Sequence, residues 1–120
     1  MYRIEVVRTL VLAEISDDFE EPEHVNENIT EIARLCGLSV ERSEVLSMLR
    51  DLVESGYAKA YLLSMKGPAV EVEGPLPQDG TPDLYFLITD EGLKALAAWR
   101  RGWHLSDEGI LLPDRLPPDD

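Results

Sequence analysis

The chain has 120 residues and carries 24 Asp and Glu against 11 Lys and Arg, for a formal net charge of −13. That length fits one compact domain, and a hydrophobic fraction of 44% excludes wholesale disorder. A single cysteine, Cys36, excludes an internal disulfide framework, and no apolar run reaches the roughly 18 residues of a membrane span. The first five residues alternate charged and apolar side chains, which is not a signal-peptide pattern. A soluble cytoplasmic protein is expected.

Residues 3–15 read as a first helix. Ile4, Val7 and Val11 fall on one stripe, with Leu10 and Ile15 beside it. Residues 16–27 read as a linker, rich in acids, without a base and interrupted by Pro22. Residues 28–36 read as a short helix with Asn28 as N-cap and Glu31 reaching back to it. Ile29, Ile32, Ala33 and Cys36 share one face of it, and Gly37 supplies the left-handed residue that stops it. Residues 39–55 carry the strongest helical pattern. Ser39 is the expected cap, Val45, Met48, Leu49 and Leu52 form the core stripe, and Gly56 ends the helix. Only Gly37 and Leu38 separate the two helices, so a steep crossing is expected.

Residues 57–64 alternate as a strand does, and residues 84–88, rich in aromatic and branched side chains, read as its partner. Between them lies a long Pro/Gly-rich loop, in which residues 69–73 are placed to add a short extra strand. Residues 89–101 read as the last helix. Thr89 is its N-cap, Asp90 and Glu91 sit where the helix dipole favours anions, and Ile88 is placed to staple onto Leu93. The tail carries Pro113, Pro117 and Pro118, and its last residues are expected to be mobile.

The order is helix, helix, tight turn, helix, strand, long loop, strand, helix. In that order, "NITEIARLCGLS", "VERSEVLSMLRDLVESGYAKAY" and "YFLITDEGLKAL" resemble three parts of winged helix-turn-helix domains. These parts are the second helix with its turn, the third helix running into the first wing strand, and the second wing strand with the Thr-x-x-Gly start of the next helix. The likeness, over residues 28–97, is to MarR-type and PadR-type regulators. It implies an α+β winged helix-turn-helix over residues 1–103, with a three-helix core, a two-stranded wing and an additional C-terminal helix, followed by a tail over 104–120. It also implies a transcriptional regulator that binds duplex DNA as a homodimer, with residues 39–55 in the major groove.

On the helical wheel, the face opposite the core stripe carries Val40, Ser43, Ser47, Arg50 and Glu54, flanked by Glu44 and Asp51. The candidate DNA contacts are therefore Ser39, Arg42, Ser43, Ser47 and Arg50 on this helix, with Lys59 and Lys66 on the wing. Charge weighs against them. Segment 39–54 and segment 57–88 each sum to −2, whereas DNA affinity rests largely on neutralised phosphates. An alternative from another class is an acidic winged-helix protein-interaction module that does not bind DNA. A third is an acidic mimic of DNA that fills another protein's basic groove.

No catalytic constellation is legible, so neither enzymatic activity nor a cofactor is expected. Asp17, Asp18, Glu20, Glu21, Glu23 and His24 crowd together, but no glycine sits where a calcium loop needs its turn, and a solvated loop is the simpler reading. His24 and His104 share no metal-ligand spacing with Cys36, and no metal is expected. Cys36 reads as a small core residue. Trp99, Trp103 and the Leu/Ile cluster at 105–112 read as core cover or as a dimer surface, with residues 1–15 and 93–112 the expected homodimer contacts.

Overall fold

The computed structural model describes residues 2–64, 67–72 and 84–115. Lys66 and the last tail residues, with their expected mobility, lie outside the described residues. The elements run α1 (Arg3–Glu14), α2 (Pro22–Leu35), α3 (Arg42–Glu54), β1 (Ala58–Ser64), β2 (Gly67–Glu71), β3 (Leu84–Ile88), α4 (Asp90–Trp99), β4 (Trp103–Leu105) and β5 (Leu111–Pro113). The fold class is α+β, with four helices and a small antiparallel sheet. Among the described residues no helix is long and apolar enough to cross a membrane.

α1 lies at the centre. Val6, Val7, Thr9, Leu10, Val11 and Leu12 are all buried, so its middle is covered on most sides by α2, α3 and α4. That is the burial of a core helix rather than of a one-faced surface helix. Ile4, expected on the core stripe, is 66% exposed and faces the hollow between the first turn of α1 and α3 instead of the core.

α2 begins at Pro22, not at Asn28. Proline suits the first helical position, where the missing N–H has no partner to lose. Val25, Ile29 and Ala33 then follow at intervals of four and are fully buried. The stripe runs further back than the sequence reading took it, so most of the expected linker is helix. Asn28 is mid-helix and turns its amide to the Glu14 carboxylate.

α3 begins at Arg42, with Glu41 rather than Ser39 as its N-cap. The Glu41 N–H donates to Glu44 Oε1 at 3.2 Å, which closes the first turn. Cys36 to Glu41 therefore lie between α2 and α3, more than the two residues expected. Gly37 takes φ +75° in this turn, and Leu38 and Val40 drop into the core. Val40 was expected on the exposed face, but it precedes the helix and does not follow the wheel.

The main sheet has the order β2-β1-β3, all antiparallel, so a third strand joins the expected two-stranded wing, at Gly67–Glu71 where residues 69–73 are placed to add one. Lys59 pairs with Leu87 and Tyr61 with Tyr85 in the β1–β3 register. Ala58, Ala60, Leu84 and Phe86 face the core. Thr89 locks α4 to the rest: its Oγ1 accepts from the Gly92 N–H at 3.0 Å and donates to the Gly56 carbonyl at 2.7 Å. A Cβ at Gly92 would stand 2.1 Å from the Tyr57 carbonyl oxygen, so this approach requires glycine. β4 and β5 form a second hairpin across the 103/104 position, and through it Trp103 and Leu112 pack against the core.

Candidate functional site

α3 positions most of the candidate residues. With Val45, Met48, Leu49 and Leu52 buried, Ser43 and Ser47 stand exposed one turn apart, and Arg50 is half-buried one turn further on. Ser39 lies exposed ahead of the helix, and its carbonyl accepts a 2.8 Å hydrogen bond from Arg3 Nη2. Arg42 projects from the first turn, but toward α2. Its Nε donates to Glu23 Oε1 at 2.7 Å, and its Nη2 donates to the same oxygen. The pairing holds the Glu23 carboxyl below the usual range and raises the Arg42 guanidinium. Lys59, on β1, lies 3.1 Å from Glu71 of β2. The fold thus gathers Ser43 and Ser47 on one face, and sets Arg42 and Lys59 each beside a carboxylate.

The exposed flank of α3 does not stand alone. It forms one wall of a groove of about 560 Å³ whose other wall is the start of α1. Tyr2, Arg3, Ile4 and Val7 face Ser43, Glu44, Ser47, Met48 and Asp51 across it. Arg3 fixes the upper end: its Nη2 reaches both Glu44 oxygens, at 2.6 and 2.8 Å, as well as the Ser39 carbonyl. A second hollow of about 300 Å³ also touches Ile4, Met48 and Asp51 and extends to Tyr57 and Trp99. There the Trp99 ring packs edge-on against Tyr57 at 5.3 Å, and the Arg8 guanidinium lies 3.9 Å over its centroid.

This groove is not legible in the sequence. Arg3 and Ile4 looked like ordinary positions of an amphipathic helix, and Tyr2 lay outside it. The one signal is Tyr2-Arg3-Ile4, apolar side chains beside a base, ahead of a helix whose Val6, Val7, Leu10, Val11 and Leu12 fall on more than one side.

The acidic stretch makes a different site. Glu14, at the end of α1, accepts from the Asn28 amide. Asn28 Nδ2 lies 3.3 Å from His24 Nε2, and His24 Nδ1 lies 2.6 Å from Glu20 Oε2. Burial pushes the Glu14 carboxyl up, and nearby Glu20 and Asp17 push it the same way, against the Asn28 hydrogen bond and His24. The hydrogen bond to Glu20, then its charge, raises His24. Among the described residues no three His, Cys, Asp or Glu side chains are grouped to hold a metal ion. Cys36 is buried, and burial pushes its thiol up, away from thiolate reactivity. No protein-family model, no curated protein and no solved structure matches the chain.

Proposed function

We propose that this chain is a winged-helix domain that serves as an acidic protein-interaction module and not as a reader of duplex DNA. The winged-helix reading is supported by the element order, by three helices meeting at α1, and by Glu20 bridging the outer edge of β3 ahead of α2. The interaction reading rests on one observation: Arg42 and Lys59, two of the cations a DNA surface would use, lie against Glu23 and Glu71.

Exposed ion pairs are worth little, about 0–1 kcal/mol, so a phosphate can displace the carboxylate from the cation. The carboxylate nevertheless stays close by and repels the phosphate. Contacts of this kind lose most of the counterion-release gain that drives DNA binding. Residues 14–31 hold eight acids and no base, which suits a partner with a basic surface. The reading involves no catalysis.

The test is fluorescence anisotropy with labelled random-sequence duplex DNA at about 50 mM and about 200 mM salt. The expected result is no binding at either. Binding that weakens steeply with salt overturns the reading in favour of a DNA-binding regulator, which the exposed Ser43 and Ser47 on α3 favour. Failure to capture any protein partner from a native extract also counts against the interaction reading.

A further inference from the structure

We propose that the hollow bounded by α1, the end of α3 and Trp99 binds a small carboxylate with an apolar tail, and that Arg8 holds the carboxylate. This goes beyond the interaction reading and does not rest on it, so the two stand or fall by different measurements.

Arg8 stands apart from the other cations of a chain with 24 acids and 11 bases. Arg3, Arg34, Arg42, Lys59 and Lys94 each lie against a carboxylate. Arg100 and Arg101 are exposed and have water. Arg8 is half-buried, and among the described residues no carboxylate closes an ion pair with it. Its Nε is buried without a hydrogen-bond partner. The guanidinium lies 3.9 Å over the Trp99 ring, which satisfies its face but none of its in-plane N–H donors. A carboxylate is the acceptor that matches such a fork of donors, and a charge-assisted contact of this kind is among the stronger hydrogen bonds. Because Trp99 already holds the guanidinium in place, little ordering is lost when a ligand arrives.

The rest of the lining sets the other half of the ligand. Ser55 and Tyr57, which carry hydroxyl donors, line the same hollow as Arg8. Ile4, Met48 and Leu52 make the remainder apolar. The hollow, about 300 Å³, shares Ile4 and Met48 with the groove of about 560 Å³ beside it, so an apolar tail anchored at Arg8 runs on toward Val7. Donors at one end of an apolar trough suit an amphiphile, not a compact inorganic anion. Arg3 and Glu44, farther along, close on each other and add no net charge. Asp51 also lines both hollows, but it is exposed, where water screens it, whereas Arg8 is half-buried and acts through a lower dielectric. None of the eight acids of residues 14–31 lines either hollow.

Isothermal titration calorimetry of the full chain tests this, with octanoate as the probe and octylammonium, octanol and acetate for comparison. The expected result is saturable binding of octanoate, with each of the other three weaker by about tenfold or more, since one lacks the tail and two lack the charge that Arg8 selects. Arg8→Met keeps the length of the side chain and removes its donors, and is expected to weaken octanoate about tenfold or more. Arg101→Met, an exposed arginine outside the hollow, is expected to leave it unchanged. No binding of octanoate overturns the proposal. So does octylammonium binding as well as octanoate, which would assign the hollow to Asp51, and so does octanoate binding equally to Arg8→Met. Circular dichroism checks that Arg8→Met folds; if it does not, the comparison of the four probes on the wild-type chain decides alone. The DNA titration answers the interaction reading separately, whatever octanoate does.

Discussion

The two ends of α1 treat charge in opposite ways. At the first turn, Arg3 closes on Glu44, and the apolar Tyr2 and Ile4 are left to solvent beside it. At the last turn, Glu14 is drawn half into the protein, held by a neutral amide and ringed by Asp17 and Glu20. The first end compensates its charge and exposes its hydrophobes. The second buries its hydrophobes, Leu12 and Ile15 among them, and leaves a carboxylate short of a cation. One helix thereby separates an end whose charges are compensated and whose hydrophobes are exposed from an end that concentrates negative charge.

The strongest way to break this comparison is to loosen the helix that joins the ends. Leu12 is fully buried in the last turn of that helix, and Leu12→Ala is expected to cost about 2–5 kcal/mol, read as a lower urea midpoint. Next comes the clamp. Arg3 and Glu44 are only partly buried, so Arg3→Ala is expected to cost about 1 kcal/mol after solvent screening, and added salt should shrink the difference.

The acidic pole answers to pH instead. Glu14 and His24 both have pKa values raised by the fold. A raised pKa means the native state holds more protons than the unfolded chain, so stability grows as pH falls through that value. His24 contributes below its raised value and loses that contribution as pH rises through it. Glu14 follows the same sign lower on the scale. Glu23 opposes them: its depressed carboxyl contributes above its ordinary range, and that is lost as pH falls further. The melting temperature should therefore rise on mild acidification and drop in stronger acid. Glu14→Gln keeps the shape, removes the buried charge, raises stability at neutral pH and flattens the lower part of that rise. A rise as steep in Glu14→Gln as in the wild type assigns it to other groups. The smallest effect belongs to Arg42→Ala. Loss of its exposed pair with Glu23 should lower the melting temperature only slightly at neutral pH and weaken the drop in stronger acid, because Glu23 then loses the partner that depresses its carboxyl; the variant also isolates the contribution of that guanidinium to any DNA affinity.

Much of the frame was legible in residues 28–97. The α3 stripe needs four apolar residues at helical spacing, and Thr89 needs only a cap three residues before Gly92; both signals are local. The start of α2 was hidden because acids and Pro22 read as loop, although Val25 continued the stripe. β4 and β5 are three residues each, too short for an alternation to show. The groove was illegible for a different reason. Ile4 has the spacing of a core residue, and only the tertiary placement of α3 against α1 leaves it facing an open hollow. Arg3 meets Glu44 across 41 positions, a pairing that no pattern along the chain encodes.

One small feature bears on how the protein behaves when crowded. The outer edge of β3 is a row of hydrogen-bonding groups on which any extended segment of another chain could polymerise. The intervening chain occupies it. Glu20 exchanges both backbone hydrogen bonds with Phe86, at 3.0 and 2.8 Å, and the Ile88 N–H is taken by the Ile15 carbonyl. The segment between α1 and α2 thus works as a guard rail, and its acids add a charge barrier along the same line. Displacing that segment would bare the Phe86 and Ile88 backbone groups to strand pairing, without touching a single residue of the sheet itself.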